Sequence, residues 1–512
     1  MDKDFALRLS SVGIFALMSV VGVGISYYLV VTARTPLLFW LAIAFLLLSV
    51  ISGIFNVTSA YSYYRSYFYD RYLESITRNL KPIKKWPTVA IAVPTYNEDP
   101  KLVERTLLSM KKMDYDAKKM KIYLLDDSTK PEIKGMLEAF CKKEGIVYLH
   151  RDNRQGFKAG ALNNFLKYSN EEFIAVFDAD ERLVDGKFLK DLLPYFQDSK
   201  LSFVQTEKRY AKGNFFSSCV DLFDAFFFKF IQPSRALNNT AIFAGSCGII
   251  RRSALDDIGG FPEYVIEDTF FSFESDMKGY RSLYIPKVYA LGAPITSFTA
   301  LSKQQWRYNY GDTQFLLHLI QNLRAHKRRT VSALSKIDYA LHGLGLNYLS
   351  VILIMFTLIS LISVFASAPI TYATLSELAH FEMPPLNFEL FGLNAFLLSI
   401  LVPIAITKLY FNSISKGFMI FVLNFALAFI RLKAAFAALL NRSPVTGWVK
   451  GMTLRGRLLA ALKNSVLEVA FSIVLFIAGA FAVLTANITG ALWLVWYSFL
   501  YSSTFIFFYR YG

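Results

Sequence analysis

Long apolar stretches stand at both ends of the chain, and the segment between them has a different pattern. Near the N-terminal end, residues 11–31 and 36–60 are apolar enough and long enough to cross a hydrocarbon core of about 30 Å. The polar break at Arg34-Thr35-Pro36 predicts that they form a helical hairpin. A cleaved signal peptide is the alternative for the first stretch, but no small-residue cleavage site is convincing and a second stretch follows at once, so both are expected to remain.

The C-terminal part repeats this apolar pattern. Four more membrane-spanning helices are predicted there, at 339–366, 389–411, 465–486 and 490–509. The stretch 417–440 contains a charge-free run of only about 14 residues, whereas a span requires about 20. A basic segment follows it, and basic loops are typical of the cytosolic side. The sequence therefore predicts 417–440 as re-entrant or interfacial, which gives six spans with both termini in the cytosol.

From about residue 86, short β-rich runs alternate with amphipathic helical stretches. Thr88–Val93 and Lys121–Leu125 have the composition of buried strands, and Lys101–Met113 has the spacing of an amphipathic helix. This alternation predicts a mainly parallel α/β sheet, with ligands at the carboxyl ends of its strands. The predicted parts are an N-terminal transmembrane hairpin with a basic linker (1–85), an α/β domain (86–323) and a C-terminal transmembrane domain (324–512).

Composition and charge agree with a membrane protein. The 512 residues are 54% hydrophobic and 16% aromatic, which is too apolar for a wholly soluble chain. The net charge of +16 raises the question of nucleic acid, but no nucleic-acid-binding module accompanies it. Basic residues instead flank apolar segments, as at 81–85 and 326–329, which predicts cytosolic loops and attraction to anionic membrane lipid. We therefore expect a multi-pass protein of the cell membrane with a cytosolic central domain and no nucleic-acid partner.

The three cysteines show no paired spacing, so neither a disulfide framework nor a zinc site is indicated. A different kind of metal site is suggested by Asp178-Ala179-Asp180, which follows the apolar run Glu171–Phe177. Residues two apart on an extended chain project to the same side, so both carboxylates can converge on one ion. Such hard oxygen ligands suit Mg2+ or Mn2+. Taken alone, however, the Asp178-Ala179-Asp180 pair fits a solvated turn better than a metal site. The motifs around it are needed to choose between these two interpretations.

Further polar motifs stand in a fixed order around this pair. They are Pro94-Thr95-Tyr96-Asn97-Glu98, Asp126-Asp127-Ser128-Thr129, the stretch 153–163, Gly245-Ser246-Cys247-Gly248, Gly259-Gly260-Phe261-Pro262, Glu267-Asp268 and Gln304-Gln305-Trp306-Arg307-Tyr308. Singly, the first two fit a strand-to-helix turn and a helix N-cap about as well as a binding site. Lys158 follows a glycine in a stretch predicted to begin a helix, where backbone N–H groups and an ammonium both favour phosphate.

The last motif is predicted to lie on a helix. Gln304, Arg307 and Tyr308 are spaced three and four apart, so they share one helix face, whereas Trp306 projects from another. A guanidinium can bind a diphosphate, and an aromatic ring offers a flat surface to the apolar face of a sugar.

This ordered series resembles the family 2 inverting glycosyltransferases, in the membrane-embedded branch that includes cellulose, hyaluronan and plant mannan or glucomannan synthases. The resemblance covers residues 86–323, and Asp126–Thr129, 158–162 and Val204-Gln205-Thr206 are most similar to the mannan synthase type. It implies a GT-A-type α/β catalytic domain with a Rossmann-like mixed sheet, beside an all-α transmembrane domain. It also implies Mg2+ or Mn2+, a UDP- or GDP-hexose donor and a growing β-linked polysaccharide as acceptor.

The resemblance assigns most of these residues to the donor. Asp127, with Asp126 beside it, corresponds to the residue that recognises the base and ribose, and Thr95, Tyr96 and Glu98 correspond to the wall of the nucleotide pocket. Lys158, Gln304 and Arg307 are also predicted to bind the donor, Lys158 and Arg307 through its phosphates. Asp180 is assigned to the metal and Asp178 to the nucleotide, although Asp178 can also serve as a metal ligand and the two assignments can be exchanged.

On the acceptor side, the resemblance implies Asp268 as the general base, next to Glu267, with Trp306 and Tyr308 near the acceptor. A carboxylate that merely begins a helix is the alternative for Asp268. Relatives often carry threonine where this chain has Ile266, which leaves the carboxylate pair intact. The family has tryptophan where this chain has Tyr308. Tyrosine can still stack on a sugar, but the change weakens the case for processive synthesis and keeps a single transfer to a lipid acceptor as an alternative.

Two amphipathic segments, Asn214–Ile231 and Ser302–Leu323, resemble helices that rest a catalytic domain on the bilayer. A buried core helix is the alternative for the first. A third interpretation of the chain, a channel or transporter with an inactive domain, is disfavoured because Asp178, Asp180, Asp268 and Arg307 are all present.

Overall fold

The chain folds into two compact units. The computed structural model describes residues 3–32, 36–322, 333–367, 404–442, 454–485 and 487–512. The helical unit comprises Met1–Tyr64, Thr296–Tyr310 and Gly345–Gly512, and the α/β unit comprises Arg65–Ile295 and Gly311–Leu344.

A seven-stranded mixed sheet forms the centre of the α/β unit. Its strands lie in the order β3-β2-β1-β4-β8-β6-β9. They are β1 (Val89–Thr95), β2 (Met120–Asp126), β3 (Val147–His150), β4 (Phe173–Val176), β6 (Leu201–Thr206), β8 (Gly248–Arg251) and β9 (Arg281–Ile285). Only β8 runs antiparallel to its neighbours β4 and β6, and the other pairs are parallel. The predicted α/β fold with a mixed sheet is confirmed, and the predicted strand and helix patterns near residues 88, 101 and 121 correspond to β1, Pro100–Met110 and β2.

Both faces of this sheet are covered by helices. On β1, Ile91 and Val93 face a core that includes Leu107 of the helix Pro100–Met110. The intervening Ala92 faces a second core that includes Phe165 of the helix Phe157–Leu166. Alternate residues of a strand project to opposite faces, so a strand buried on both sides is apolar almost throughout. This explains why β1 and β4 appear in the sequence as continuous apolar runs.

A second, three-stranded sheet joins the loops that follow the central strands. Its order is β5-β10-β7, with β5 at Arg182–Leu183, β7 at Arg209–Tyr210 and β10 at Ala290–Gly292. β10 pairs antiparallel with β5 and parallel with β7. The sheet therefore holds the segment after Asp180 and the segment after β6 on opposite sides of β10.

The remaining helices of the α/β unit connect these strands. They span Tyr69–Arg78, Pro131–Glu144, Phe188–Leu192, Phe215–Phe226, Gln232–Ala236, Arg252–Ile258 and Glu267–Met277. The predicted interface segment Asn214–Ile231 corresponds to the helix Phe215–Phe226 and a π-helical turn at Phe227–Ile231. Phe216 is buried there whereas Phe215 is exposed, so the segment is amphipathic, and its contact with lipid stays a prediction.

The helical unit carries most of the apolar helices. Among the described residues, five helices are long and apolar enough to cross a membrane, and a bent helix raises the number to six. The five are Asp4–Tyr28, Phe39–Ser66, Ile414–Leu439, Val466–Leu484 and Gly490–Tyr511, and the bent pair is Ser335–Gly345 with Leu349–Ile362. Of the predicted span 389–411, residues 404–411 are helical and the rest lies outside the described residues.

The segment 417–440 lies in a helix that is longer than its charge-free run. It belongs to one continuous helix, Ile414–Leu439, of 26 residues, which is long and apolar enough to cross a membrane. The charge-free run ends at Arg431, yet Arg431 is fully buried within the unit and the helix continues past it. Counting charge-free residues therefore underestimated the length of this helix. Its re-entrant or interfacial placement and the topology stay predictions.

Candidate active site

The parallel strands β1, β2 and β4 bring three motifs to one edge of the sheet. Thr95 at the end of β1 lies opposite Asp126 at the end of β2, and the N–H of Asp127 donates to the carbonyl oxygen of Thr95 at 3.0 Å. Asp178 comes two residues after the end of β4, whose neighbour is β1. The ends of adjacent parallel strands form a crevice in which such sheets bind ligands. The structure therefore places these residues where a donor would be expected.

The two carboxylates that follow β2 have different partners. Asp126 is fully buried and accepts hydrogen bonds from the Tyr148 hydroxyl at 2.7 Å and from the N–H of Ser128 at 2.9 Å. Asp127 instead forms a two-point ion pair with Arg151, whose Nε lies 2.8 Å from Oδ1 of Asp127 and whose terminal nitrogen contacts Oδ2. Asp126 therefore supports the strand end from inside, while Asp127 and Arg151 form a charged wall.

An aromatic stack lies at the mouth of the crevice. The guanidinium carbon of Arg154 is 3.4 Å from the ring centroid of Tyr96 and 5.3 Å from that of Phe157, and both rings are exposed. Asn97 joins the neighbouring loops, since its N–H donates to the Ser128 hydroxyl at 2.8 Å. Glu98 stands at the surface, but partial burial of its carboxyl and the charge of Asp178 raise its pKa.

Two lysines hold the carboxylate of Asp178. Nζ of Lys158 lies 2.6 Å from Oδ1 and Nζ of Lys208 lies 3.2 Å from Oδ2. Burial opposes the charge of this carboxylate, but the two ammonium groups outweigh burial and hold the pKa of Asp178 well below its usual range. Lys158 lies in the first turn of its helix, as predicted, and its ammonium also donates to the carbonyl oxygen of Gly245 at 2.9 Å. The crevice thus contains the carboxylate of Asp178 between two ammonium groups that favour its ionised form.

Asp180, unlike Asp178, has surroundings that disfavour its ionised form. One of its oxygens accepts the N–H of Ala293 at 3.3 Å, which lies next to β10. Burial, followed by the charges of Asp178 and Glu181, raises the pKa of Asp180 to about 7. Glu181 is itself buried and accepts hydrogen bonds from the Ser246 hydroxyl and the N–H of Asp178. A carboxylate that is destabilised in this way gains most from an added cation.

Glu267 and Asp268 reach the same place from the start of the helix Glu267–Met277. Oε1 of Glu267 lies 3.8 Å from Nζ of Lys158. Oδ1 of Asp268 accepts the N–H of Thr269 at 2.8 Å, which orients the carboxylate at the helix start. Gly245 adopts φ +80, and a β-carbon placed on it would lie 2.9 Å from Oδ2 of Asp268. Lys158 and Gly245 therefore connect the Asp178 motif to the Glu267-Asp268 motif.

Close packing at Gly311 accounts for the isoleucine before this carboxylate pair. A β-carbon on Gly311 would lie 2.5 Å from the Ile266 side chain, so the isoleucine fills the space that a larger residue at 311 would need. The next residue, Asp312, has its pKa raised by burial and by the charge of Asp268.

The motif at 304–308 lies in the helical unit, on the helix Phe298–Asn322. Nε2 of Gln304 donates to the Tyr308 hydroxyl at 3.2 Å, and the guanidinium carbon of Arg307 is 5.6 Å from the Tyr308 ring centroid. Gln304, Arg307 and Tyr308 thus lie on one helix face, in agreement with their spacing. Arg307 is exposed, and Nε1 of Trp306 is buried without a hydrogen-bond partner among the described residues.

Sequence reasoning did not identify Arg151, Lys208 or Glu181. Glu181 directly follows the Asp-x-Asp pair, and Lys208 follows Val204-Gln205-Thr206 by two positions, so both stood beside motifs that were recognised. Arg151 has no such signal. It follows the short strand β3, whose pairing with β2 brings it to Asp127.

Comparisons with known proteins agree with the predicted resemblance. Residues 90–259 match the family described as Glycosyl transferase family 2. The UDP-forming cellulose synthase catalytic subunit of Pseudomonas fluorescens is 34% identical over 239 residues, which are 45% of this chain and 32% of that protein. Glucomannan 4-beta-mannosyltransferase 1 of Cyamopsis tetragonoloba is 27% identical over 274 residues, which are 51% of this chain and 52% of that protein.

These matches span about a third to a half of the length of the two relatives. Among solved structures, the mannosyltransferase PcManGT from Pyrobaculum calidifontis, in complex with GDP-Man and Mn2+, has a TM-score of 0.51 at 18% identity. The similarity covers 75% of this chain and 99% of that protein, and it confirms the GT-A-like fold.

Proposed function

We propose that the protein, whose residues 90–259 match Glycosyl transferase family 2, is an integral-membrane inverting glycosyltransferase. It transfers a hexose from a UDP- or GDP-linked donor to a growing β-linked polysaccharide. One observation carries the proposal: Asp178, Lys158, Glu267 and Asp268 meet around Gly245 at the carboxyl edge of the sheet. Structural turns and helix caps would not require these charged groups to converge.

Inverting transfer needs a base on the acceptor side of the anomeric carbon and cations on the leaving diphosphate. Asp268 takes the proton from the attacking hydroxyl, with its carboxylate oriented by the N–H of Thr269. Lys158 neutralises charge on the diphosphate, and Arg307 and Gln304 bind the same group. Glu267, next to Asp268 in the chain, is assigned to the acceptor, as is Trp306. Because Lys158 contacts both Asp178 and Glu267, donor binding and acceptor positioning share one cation.

The nucleotide is held by the wall at the ends of β1 and β2. Thr95 and Tyr96 line this wall with Glu98, and Thr95 Oγ1 is buried without a hydrogen-bond partner among the described residues, so a ligand can supply one. Asp126 supports the wall from behind, and Asp127 contacts base and ribose when its pair with Arg151 rearranges.

The residues present fit a divalent cation, Mg2+ or Mn2+. Asp180, whose pKa is raised by burial and by Asp178 and Glu181, is suited to ligate such an ion, whereas both oxygens of Asp178 contact lysines. The described residues contain no group of three or more potential ligands around one point, so the protein would supply one or two carboxylates and the diphosphate the rest, as is usual for Mg2+. The bound ion would offset the negative charge that develops on the departing diphosphate.

The apolar helices support a reaction at a membrane. We propose that the protein is a multi-pass protein of the cell membrane with its catalytic domain in the cytosol, and that the product is exported between the spans. The basic segments that flank the apolar stretches support this orientation. Transfer of one sugar to a lipid acceptor is the second candidate, and Tyr308 favours it because a smaller ring holds a polymer less firmly.

A donor screen tests the proposal. Purified protein in lipid nanodiscs is incubated with radiolabelled UDP- and GDP-hexoses and Mg2+ or Mn2+, and products are separated by size. Polymer formation supports polysaccharide synthesis, and a single-sugar lipid supports the second candidate. Asp268→Asn is expected to abolish transfer and retain nucleotide binding, whereas Asp256→Asn, which changes an exposed carboxylate, keeps both.

Two outcomes would contradict the proposal. Absence of transfer and of donor hydrolysis with every nucleotide sugar would favour a non-catalytic channel or transporter. Full activity of Asp268→Asn would exclude Asp268 as the base.

A further inference from the structure

Arg431 is a buried cation inside the helical unit. It lies on the helix Ile414–Leu439, and its exposed fraction is 0%. A guanidinium removed from water is costly unless hydrogen bonds replace its hydration. Its Nε donates to Oε1 of Gln305 at 3.0 Å, and a terminal nitrogen donates to Oδ1 of Asn424 at 3.0 Å. The bond to Gln305 therefore joins two helices that are far apart in the sequence.

Gln305 lies on the buried face of the helix Phe298–Asn322. It is 1% exposed, and Asn309, one turn later, is 0% exposed and donates to the carbonyl oxygen of Gln305 at 2.6 Å. Each residue of a helix is rotated by about 100° from the one before it, so Arg307 projects about 200° from Gln305. Arg307 is accordingly exposed. Gln304 and Tyr308 lie about 100° and 60° from Gln305, so the anchored residue adjoins the face that carries Gln304, Arg307 and Tyr308 and fixes its direction.

We propose that Arg431 is a positioning residue that fixes the rotation of this helix through Gln305. The inference rests on the proposed function, in which Arg307 binds the diphosphate and Tyr308 the acceptor. A rotation of about 10° moves a group about 7 Å from the helix axis by about 1 Å. Displacement by about 1 Å can slow catalysis by about 100-fold. Loss of the anchor should therefore lower the transfer rate by about 10- to 100-fold.

Two substitutions at Gln305 separate the hydrogen bond from the volume of the side chain. Gln305→Glu keeps an oxygen acceptor for Arg431, and Gln305→Met removes it at similar size. We expect Gln305→Glu to retain transfer within about threefold and Gln305→Met to lose about 10- to 100-fold in kcat. Arg431→Met should resemble Gln305→Met, and the double variant should be no worse than either single one, because both remove the same bond.

Lys433 provides a matched control on the same helix. Its Nζ lies 2.8 Å from Oε1 of the buried Glu468, so Lys433→Met breaks an ion pair of the same helix without touching Gln305. We expect this variant to melt at a lower temperature but to keep the kcat of the folded protein. A purely structural role of Arg431 predicts the same behaviour for Arg431→Met.

The readouts are kcat and KM for the donor, thermal unfolding, and calorimetric binding of GDP and UDP with Mg2+. The positioning role is supported if kcat or nucleotide binding falls in Gln305→Met and Arg431→Met but not in Gln305→Glu or Lys433→Met. Nucleotide binding provides this readout even if the protein transfers no sugar. Equal effects in Gln305→Glu and Gln305→Met, or unchanged kcat and binding in Arg431→Met, overturn it. Wild-type protein that neither binds nucleotide nor transfers sugar overturns the proposed function together with this inference, whereas active wild type with unaffected variants overturns the inference alone.

Discussion

Gly245 faces Asp268 so closely that a β-carbon on Gly245 would lie 2.9 Å from Oδ2 of Asp268. Gly245→Ala therefore has to displace the proposed base or the backbone that binds Lys158. We expect a loss of transfer of at least about tenfold, since small displacements of a base are costly. The φ of +80 adds strain of about 1–2 kcal/mol for a residue other than glycine. Initial rates with saturating donor measure the effect.

Gly259→Ala is the control for that strain. Gly259 has a φ of +94, but a β-carbon there would meet no atom within 4 Å. This variant should lose stability to a similar degree and keep its transfer rate. Equal rates in the two alanine variants would contradict the role assigned to the contact between Gly245 and Asp268.

The ion pair between Asp127 and Arg151 should stabilise the fold as well as shape the nucleotide pocket. The side chains are 5% and 12% exposed, so Arg151→Met leaves a buried carboxylate without its partner. Loss of one partner of a buried pair costs about 3–5 kcal/mol. We expect a corresponding fall in the free energy of unfolding of the α/β unit, and weaker nucleotide binding, measured by denaturant titration and calorimetry.

The exposed pair of Arg281 and Asp198 offers a comparison. Its side chains are 56% and 40% exposed at 3.3 Å. Arg281→Met should cost at most about 1 kcal/mol, because water screens exposed ion pairs. A similar cost for both arginine substitutions would show that the pair of Arg151 and Asp127 is not a buried one in solution.

The fold of the α/β unit could be predicted because its signals are local. β1, β2 and β4 are continuous apolar runs, and each is followed by a polar motif at the position where a parallel sheet binds ligands. The Asp178 and Glu267-Asp268 motifs could be assigned to one site only through the family resemblance. Their contact depends on Lys158 and Gly245, which are separated from each other by 87 residues in the chain.

Other features could not be predicted from the sequence because they depend on contacts between residues that are far apart in the chain. Lys208 reaches Asp178 through the small sheet β5-β10-β7, whose strands of two or three residues leave no pattern. Arg431 appeared to end an apolar segment, since a charged residue in a long apolar helix is normally excluded. Burial against Gln305 and Asn424 makes that charge tolerable, and hydrogen-bond partners of this kind cannot be found by periodicity.

Binding of a divalent cation should depend on pH near neutrality. A carboxyl group whose pKa is about 7 is largely protonated below that pH and cannot then ligate a metal. The apparent affinity of Asp180 for Mn2+ in the presence of donor should fall by up to about tenfold for each pH unit below 7. Calorimetric titration of the protein with Mn2+ and donor, between about pH 5.5 and 8.5, measures this affinity.

The contribution of Asp180 to folding stability depends on pH in the opposite direction to its Mn2+ affinity. The folded protein holds a proton on Asp180 between its folded pKa of about 7 and the lower value of an unfolded chain. Without metal, this group therefore favours the folded state at low pH, and its contribution is lost as the pH rises toward 7. Asp180→Asn should remove both dependences. Mn2+ affinity that is constant with pH in the wild type would exclude Asp180 as the ligand.

Tyr308 should determine how long the acceptor stays bound. The family resemblance implies tryptophan at this position, and the Tyr308 hydroxyl accepts a hydrogen bond from Gln304 at 3.2 Å. Tyr308→Trp enlarges the flat surface for the acceptor sugar and should lengthen the products, whereas Tyr308→Ala should shorten them, because aromatic contacts of this kind contribute about 0.5–1.5 kcal/mol. Tyr308→Phe keeps the ring, loses the hydrogen bond and should leave product length unchanged. Size-exclusion chromatography of radiolabelled product measures the distribution. Products of wild-type length from Tyr308→Ala would show that this ring does not hold the polymer, and single-sugar lipids from every variant would select the glycolipid function instead.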